Sequence, residues 1–263
     1  LGVDHLKVTS ENFGLGKKVL NENFNNEKKG LIPDTKWKKN NLGESWVIGE
    51  TLITGIGQGY TQTTPLQLCL MTAQLANGGF KIYPKIIIDE KSKTAEEIKL
   101  IMDQNSKDLN KEINVIQNTT DLLELLNKKE HECLYKNPEN IKLVREAIFS
   151  STNEVRGTSY SSRIEDPKYQ FAGKTGTSQV KRITKAAREL DLKTSEIPYN
   201  ERDHALYIAF GPYKNPRYAL SVVVEHGGSG SSTAAPIAKK LFKLIVDRHE
   251  LREKARVQQF IKI

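Results

Sequence analysis

The strongest helical period in the chain lies between residues 64 and 79. Thr64 is placed to cap, Pro65 suits the first helical position, and Gln67 completes a capping-box pattern. Leu66, Cys69, Leu70, Ala73 and Ala76 then recur on one face. Asn77-Gly78-Gly79 supplies residues that tolerate the left-handed backbone of a helix stop. The same period predicts a helix from Pro138 to about Ser150, with Ile141, Val144, Ala147 and Ile148 as its buried stripe. A third runs over Ala234–Val246 with Ala238, Leu241, Leu244 and Ile245 inward, and a shorter one lies near Asp121–Lys128.

Extended segments cluster in the last third. Tyr169–Val180, Ala205–Tyr213 and Arg217–Glu225 read as strands, and Lys214-Asn215-Pro216 joins the last two as a hairpin. Phe80, Ile82, Ile86 and Ile88 suggest short strands. Three strands followed by a helix that can cover one sheet face indicate an α+β architecture, an antiparallel sheet with helices on its faces. Residues 1–62 read as loop-rich, with Phe13, Phe24, Trp37 and Trp46 as anchors that pack down on something larger, and Gly55–Tyr60 forms a glycine-rich loop. Glu90–Asn118 is a polar excursion, and Lys181–Asn200 is a charged loop with some helix. The domain is expected over 1–246, leaving 247–263 as a charged tail, either a helical extension or a frayed end.

Composition changes this picture little. The 263 residues can bury a sizeable core without a disulfide or metal staple. The longest apolar runs, Leu220–Val224 and Ile86–Ile88, are far too short to span a membrane, and the mean hydropathy is −0.53. No basic-then-apolar leader opens the sequence. The net charge of +8 is spread along the chain and forms no stripe, so no nucleic-acid partner is expected. Cys69 and Cys133 stand far apart, and the five histidines show no ligand spacing, so neither a metal nor an organic cofactor is expected.

One segment announces chemistry. Lys174-Thr175-Gly176-Thr177 sits in the first of the three strands, with Gly157-Thr158 shortly before it. An edge strand of this composition offers a cation, hydroxyls and unpaired N–H groups to an anionic ligand. Gly176 would let that ligand approach the backbone, and a neighbouring N–H could stabilise a developing oxyanion.

These residues, taken together with others, carry a resemblance. The chain resembles the transpeptidase domain of the class B penicillin-binding proteins, most closely the cell-elongation type, penicillin-binding protein 2. Matching segments include Leu1-Gly2-Val3-Asp4, Gly55-Ile56-Gly57-Gln58-Gly59-Tyr60 with Thr64-Pro65-Leu66-Gln67, and Ala76-Asn77-Gly78-Gly79. Gly157-Thr158, Gly173–Thr177, Arg202-Asp203-His204, Asn215-Pro216 and Gly227-Gly228 continue the match in order. The resemblance implies an incomplete β-lactamase-like fold and acyl transfer between peptidoglycan stem peptides, with β-lactams acylating the same serine. It implies that Lys174 acts electrostatically on substrate and proton shuttle, that Thr175, Gly176 and Thr177 bind substrate, and that the Thr177 N–H forms half of an oxyanion hole. Gln58 and Tyr60 read as scaffold or cleft-wall positions.

Two motifs of that family, S-x-x-K and S-x-N, stand before the Leu-Gly-Val-Asp segment at which this sequence opens. Ser178-Gln179-Val180-Lys181 matches the first as a string, and Ser10-Glu11-Asn12 and Ser151-Thr152-Asn153 match the second. None falls in the family's structural context, so no nucleophile is expected within this chain. The expectation is therefore the C-terminal portion of a transpeptidase, inactive alone and completed by an upstream segment. The alternative is a non-catalytic product of a degenerate or split gene. The family's anchoring in the cytoplasmic membrane, its periplasmic catalytic domain and its cell-elongation membrane partners come from the resemblance only. Poor solubility is expected if that upstream segment covers the sheet.

Overall fold

A computed structural model describes residues 2–20, 24, 26–86, 132–181 and 194–261, with side chains as far as Arg252. The chain divides into two compact units, 1–82 with 133–263, and 83–132. All that follows concerns the first. The expected helix at Asp121–Lys128, the polar excursion, Ile88 and most of the 181–200 loop lie outside the described residues.

The region read as loop-rich contains three helices: α1 (Val3–Asn12), α2 (Thr35–Leu42) and α3 (Ile48–Gly55). Local side-chain capping marks the starts of α2 and α3, whereas α1 begins after Gly2 without a side-chain cap. The Asp34 carboxylate accepts from the Trp37 N–H at the start of α2, and Gly43, at φ 72°, ends it. At α3 the Glu50 carboxylate accepts from the Val47 N–H. Lys38 is buried between α2 and α3, 2.6 Å from Glu50 and 3.4 Å from Glu44, and it donates to the Ser45 carbonyl. The other face of α3 is apolar and open: Ile48, Leu52 and Ile56 are 85, 72 and 78% exposed.

The helix expected after Thr64 is α4 (Pro65–Ala76), with the Thr64–Gln67 capping box formed. Its buried residues are Leu70, Leu75 and Ala76 together with Gln67, Thr72 and Gln74. The two glutamines lie on no apolar stripe because they serve as ties. Gln67 donates to the carbonyls of Lys17 and Lys29, and Gln74 donates to the Phe13 carbonyl and accepts from the Ile82 N–H. Of the short strands expected at 80–88, only Phe80 makes a bridge among the described residues, to Cys133.

Next come α5 (Pro138–Asn153), β1 (Ala172–Ser178), β2 (His204–Gly211), β3 (Tyr218–Val224) and α6 (Ala235–Ile261). The sheet is antiparallel in the order β1-β2-β3, with Lys174 opposite Ile208 and Leu220 opposite Ala209. Helices α4 and α5 cover one face, where Leu75, Ile141, Ile148, Ala172 and Phe210 pack together. On the other face α6 buries Ala235, Ala238 and Phe242 against Phe171, Tyr207 and Ala209, with the Phe171 and Phe242 rings stacked at 5.0 Å. This is the α+β arrangement expected.

Two stripes are corrected. In α5 the buried residues are Ile141, Ile148 and Thr152, while Val144 and Ala147 face solvent. In α6 Phe242 and Val246 point inward, while Leu241 and Leu244 are exposed. Both stripes follow one helical face, and the aliphatic residues misplaced by the expectation stand one residue off it. Beyond Val246 the charged segment continues α6. Asp247 accepts from the Tyr169 hydroxyl, and Lys168 lies 2.9 Å from Glu250.

Candidate functional site

Strand β1 is an edge strand among the described residues, so its outward backbone groups must find other partners. In an antiparallel ladder alternate residues turn both their N–H and C=O toward the neighbouring strand, and the rest turn both away. Five bonds show which parity faces outward here. The Asn153 side-chain amide donates to the Phe171 carbonyl at 2.9 Å. Thr152 Oγ1 accepts from the Gly173 N–H and lies 3.0 Å from the Gly173 carbonyl. Lys174 Nζ donates to the Thr175 carbonyl at 3.0 Å, and the Gln58 side-chain amide donates to the Thr177 carbonyl at 3.0 Å. Residues 171, 173, 175 and 177 therefore form the free edge, and the N–H groups of Thr175 and Thr177 point along it. No described residue accepts from either of them.

The K-T-G-T residues divide between the two faces. Strand alternation puts Lys174 and Gly176 on the α4/α5 face, and Thr175 and Thr177 on the face of Tyr207. The Lys174 side chain curls around to the edge, so its ammonium and the two threonines share one rim. Gly176 is closely covered by the chain itself. A Cβ at Gly230 would stand 2.7 Å from the Gly176 carbonyl oxygen, so the 226–232 turn packs directly on this strand. The glycine that this packing requires is Gly230, while a Cβ at Gly176 would meet only the Leu206 side chain.

The supports of β1 include residues that motif reading dismissed. Ser151-Thr152-Asn153 forms the last turn of α5, beside the edge. Thr152, Ser159 and Tyr207 make a buried hydroxyl cluster, with Oγ1 to Oγ 3.2 Å and each of these hydroxyls 3.0 Å from the Tyr207 phenol. Burial raises the Tyr207 phenol above its usual range, against the opposing pull of its Ser159 and Thr152 bonds. Nearer the surface, Ser151 Oγ and Thr175 Oγ1 each lie 3.2 Å from Thr158 Oγ1. The signal for Thr152 was its place on the Ile141–Ile148 stripe, where a buried hydroxyl demands a partner.

At the far end of β1, Arg202-Asp203-His204 closes the strand. The Asp203 carboxylate accepts from the Val180 N–H, and His204 Nδ1 accepts from the His226 N–H at 2.9 Å. Ser178 is the last residue of β1 and pairs with His204; it does not stand at a helix start. Ser10 lies within α1. Cys69 is half-buried and donates to the Ala219 carbonyl, and burial raises its thiol pKa. Among the described residues no three His, Cys, Asp or Glu side chains gather in a metal-binding group, and no helix is long and apolar enough to cross a membrane.

The described residues thus give an outward-facing strand edge with a lysine, two threonines and two N–H groups on one rim. Comparison with known proteins gives the family. The penicillin binding protein transpeptidase domain matches residues 1–243, and the chain belongs to that family. It is 32% identical to the peptidoglycan D,D-transpeptidase MrdA of Salmonella typhimurium over 252 residues, which is 94% of this chain and 35% of that protein. The MrdA of Acinetobacter baumannii is 32% identical over 242 residues, 92% of this chain and 31% of the relative. The chain thus spans about a third of these relatives. Among solved structures, Pseudomonas aeruginosa PBP2 in complex with WCK 5153 superposes with a TM-score of 0.66 at 32% identity, covering 93% of this chain and 44% of that one. The Helicobacter pylori complex between PBP2 and MreC gives 0.66 at 25% identity, covering 94% and 36%. The penicillin-binding protein 2 type expected from the motifs is the type these neighbours share.

Proposed function

We propose that this chain is the substrate-binding side of a peptidoglycan D,D-transpeptidase, with β1 receiving the end of a stem peptide as an added strand. The observation that carries this reading is the pair of outward N–H groups at Thr175 and Thr177 beside the Lys174 ammonium. A peptide laid along this edge pairs with those groups. Its terminal carboxylate meets the hydroxyls of Thr175 and Thr177 and the charge of Lys174. A β-lactam, which carries an amide and a carboxylate at similar spacing, fits the same edge.

The acyl carbonyl then lies near the Thr177 N–H, which donates to the oxygen as negative charge develops. Gln58 fixes the carbonyl of the same residue and so holds that N–H in direction. The attacking hydroxyl is a serine of an S-x-x-K segment outside this sequence, and that segment's lysine takes the hydroxyl proton. A serine ester forms as the peptide C–N bond breaks, and terminal D-Ala leaves with a proton on its amine. An amine of a neighbouring stem then displaces the serine and makes the cross-link. No metal or organic cofactor takes part in this scheme. The completed enzyme works outside the cytoplasmic membrane, held by an anchor outside this sequence, with cell-elongation membrane proteins as partners. The relative solved with MreC supports that last assignment.

The test is titration of the isotope-labelled chain with an N-acylated D-Ala-D-Ala peptide while backbone amides are observed by NMR. The Thr175 and Thr177 amides shift first and most. Shifts confined to other surfaces would sink the reading. In parallel, fluorescent penicillin leaves no covalent band on the purified chain; a band would place a nucleophile within it.

A further inference from the structure

The hydroxyl beside the expected carboxylate site does not stand alone. Thr175 Oγ1 is one end of a row that runs through Thr158 Oγ1 to Ser151 Oγ, each step 3.2 Å. We propose that Thr158 is a positioning residue for carboxylate recognition: it donates to Thr175 Oγ1, so that the single Thr175 proton is left for the ligand. This inference rests on the strand-edge reading and adds a residue and a direction to it.

The direction follows from counting protons. A threonine hydroxyl has one proton and two lone pairs. Lys174 Nζ stands 3.5 Å from Thr175 Oγ1, and an ammonium can only donate. If Thr158 also donates, both lone pairs of Thr175 are engaged, and its proton can only point away from them, toward the rim. Thr158 in turn has lone pairs to accept from Ser151. A row of hydroxyls that all donate in one sense polarises each member and strengthens the last bond, which here reaches an anion. The opposite sense would leave Thr175 presenting a lone pair to a carboxylate, which repels it.

The fold holds Thr158 in place independently of any ligand. Gly157 lies so close to the end of α5 that a Cβ there would stand 2.4 Å from the Ser151 carbonyl oxygen and 2.6 Å from that of Ser150. The next residue, Ser159, donates its N–H to the Ser151 carbonyl at 3.0 Å. Thr158 is therefore clamped between two fixed neighbours, while its own side chain is exposed at the rim. The described partners of its hydroxyl are Thr175 and Ser151, both members of the row.

The experiment measures binding of two probes by calorimetry, an N-acylated D-Ala-D-Ala peptide and the same peptide as its C-terminal amide. Thr158→Val weakens the carboxylate peptide about fivefold and changes the amide less than twofold. Thr158→Ser restores the parent value. In a Thr175→Val background, Thr158→Val has no further effect. Equal losses for both probes, or an unchanged affinity for the carboxylate peptide, overturn this inference and leave the strand-edge reading standing. No binding of either probe by the parent chain overturns both.

Discussion

The two halves of β1 treat their outward groups in opposite ways. At Phe171 and Gly173 the end of α5 takes every outward group on which the structure shows a bond: Asn153 takes one carbonyl, and Thr152 takes both groups of Gly173. At Thr175 and Thr177 the carbonyls are held by flexible side chains, Lys174 and Gln58, and the N–H groups have no described partner. A buried edge must be satisfied internally, whereas an edge left open to solvent is available for a ligand. The strand thus changes within two residues from a closed edge to an open one, the half proposed to receive the peptide.

The most direct test of this contrast is hydrogen exchange at single amides. The Gly173 N–H, bonded within a buried hydroxyl cluster, exchanges at least about a hundredfold more slowly than those of Thr175 and Thr177. Similar protection at all three positions would erase the distinction.

Thr152→Val keeps the shape of the side chain and removes its oxygen. It strands the Gly173 N–H and carbonyl and takes a partner from Tyr207 and Ser159. The expected loss is about 3 kcal/mol of unfolding free energy by chemical denaturation. A loss below about 1 kcal/mol would show that water replaces the hydroxyl and that the first half of the edge is less closed than described.

Tyr207→Phe probes the same cluster more gently, since the phenol is one partner among three. About 1 kcal/mol is expected. The variant also carries a pH signature. Burial raises the folded phenol's pKa above 10.0, its reference value. Its contribution is therefore complete below that reference value and is lost as pH rises through the folded pKa. Stability of the parent falls on the alkaline side, and Tyr207→Phe flattens that limb. An unchanged alkaline slope would show that Tyr207 titrates normally.

Much of this was legible in the chain. Helix α4 announced itself through Thr64, Pro65 and Gln67, and the hairpin through Asn215-Pro216, because caps and turns are local chemistry. The K-T-G-T strand and its family were equally plain. What stayed hidden depended on contacts between distant segments. Gln67 and Gln74 look like surface residues until the loops they tie are in place. Phe242 displaced Leu241 from the inward face because Phe171 stood opposite it, which no periodicity reports. Helices α2 and α3 escaped because their apolar residues do not face the core, and Lys38 buried between two glutamates is a tertiary event. Thr158 was visible only as half of a dipeptide, and its partner on the strand appears only after the chain folds back.

Gln58 gives the smallest effect and the sharpest reading of the open half. It was expected to be scaffold or cleft wall, and from the loop after α3 its side-chain amide donates to the Thr177 carbonyl, 119 residues away. Its side chain is half-buried, and the loop is shaped by Gly57 and Gly59 at positive φ, so the fold does not depend on this amide. Gln58→Leu should therefore leave stability within about 0.5 kcal/mol of the parent. Peptide binding should weaken about threefold to fivefold, because the Thr177 N–H loses the contact that fixes its direction. Gln58→Glu should do worse than leucine, since a carboxylate cannot donate to the carbonyl and repels the ligand's own charge. If leucine and glutamate variants bind as the parent does, the open half of β1 is held by its ladder alone, and the contrast between the two halves lies only in Thr152.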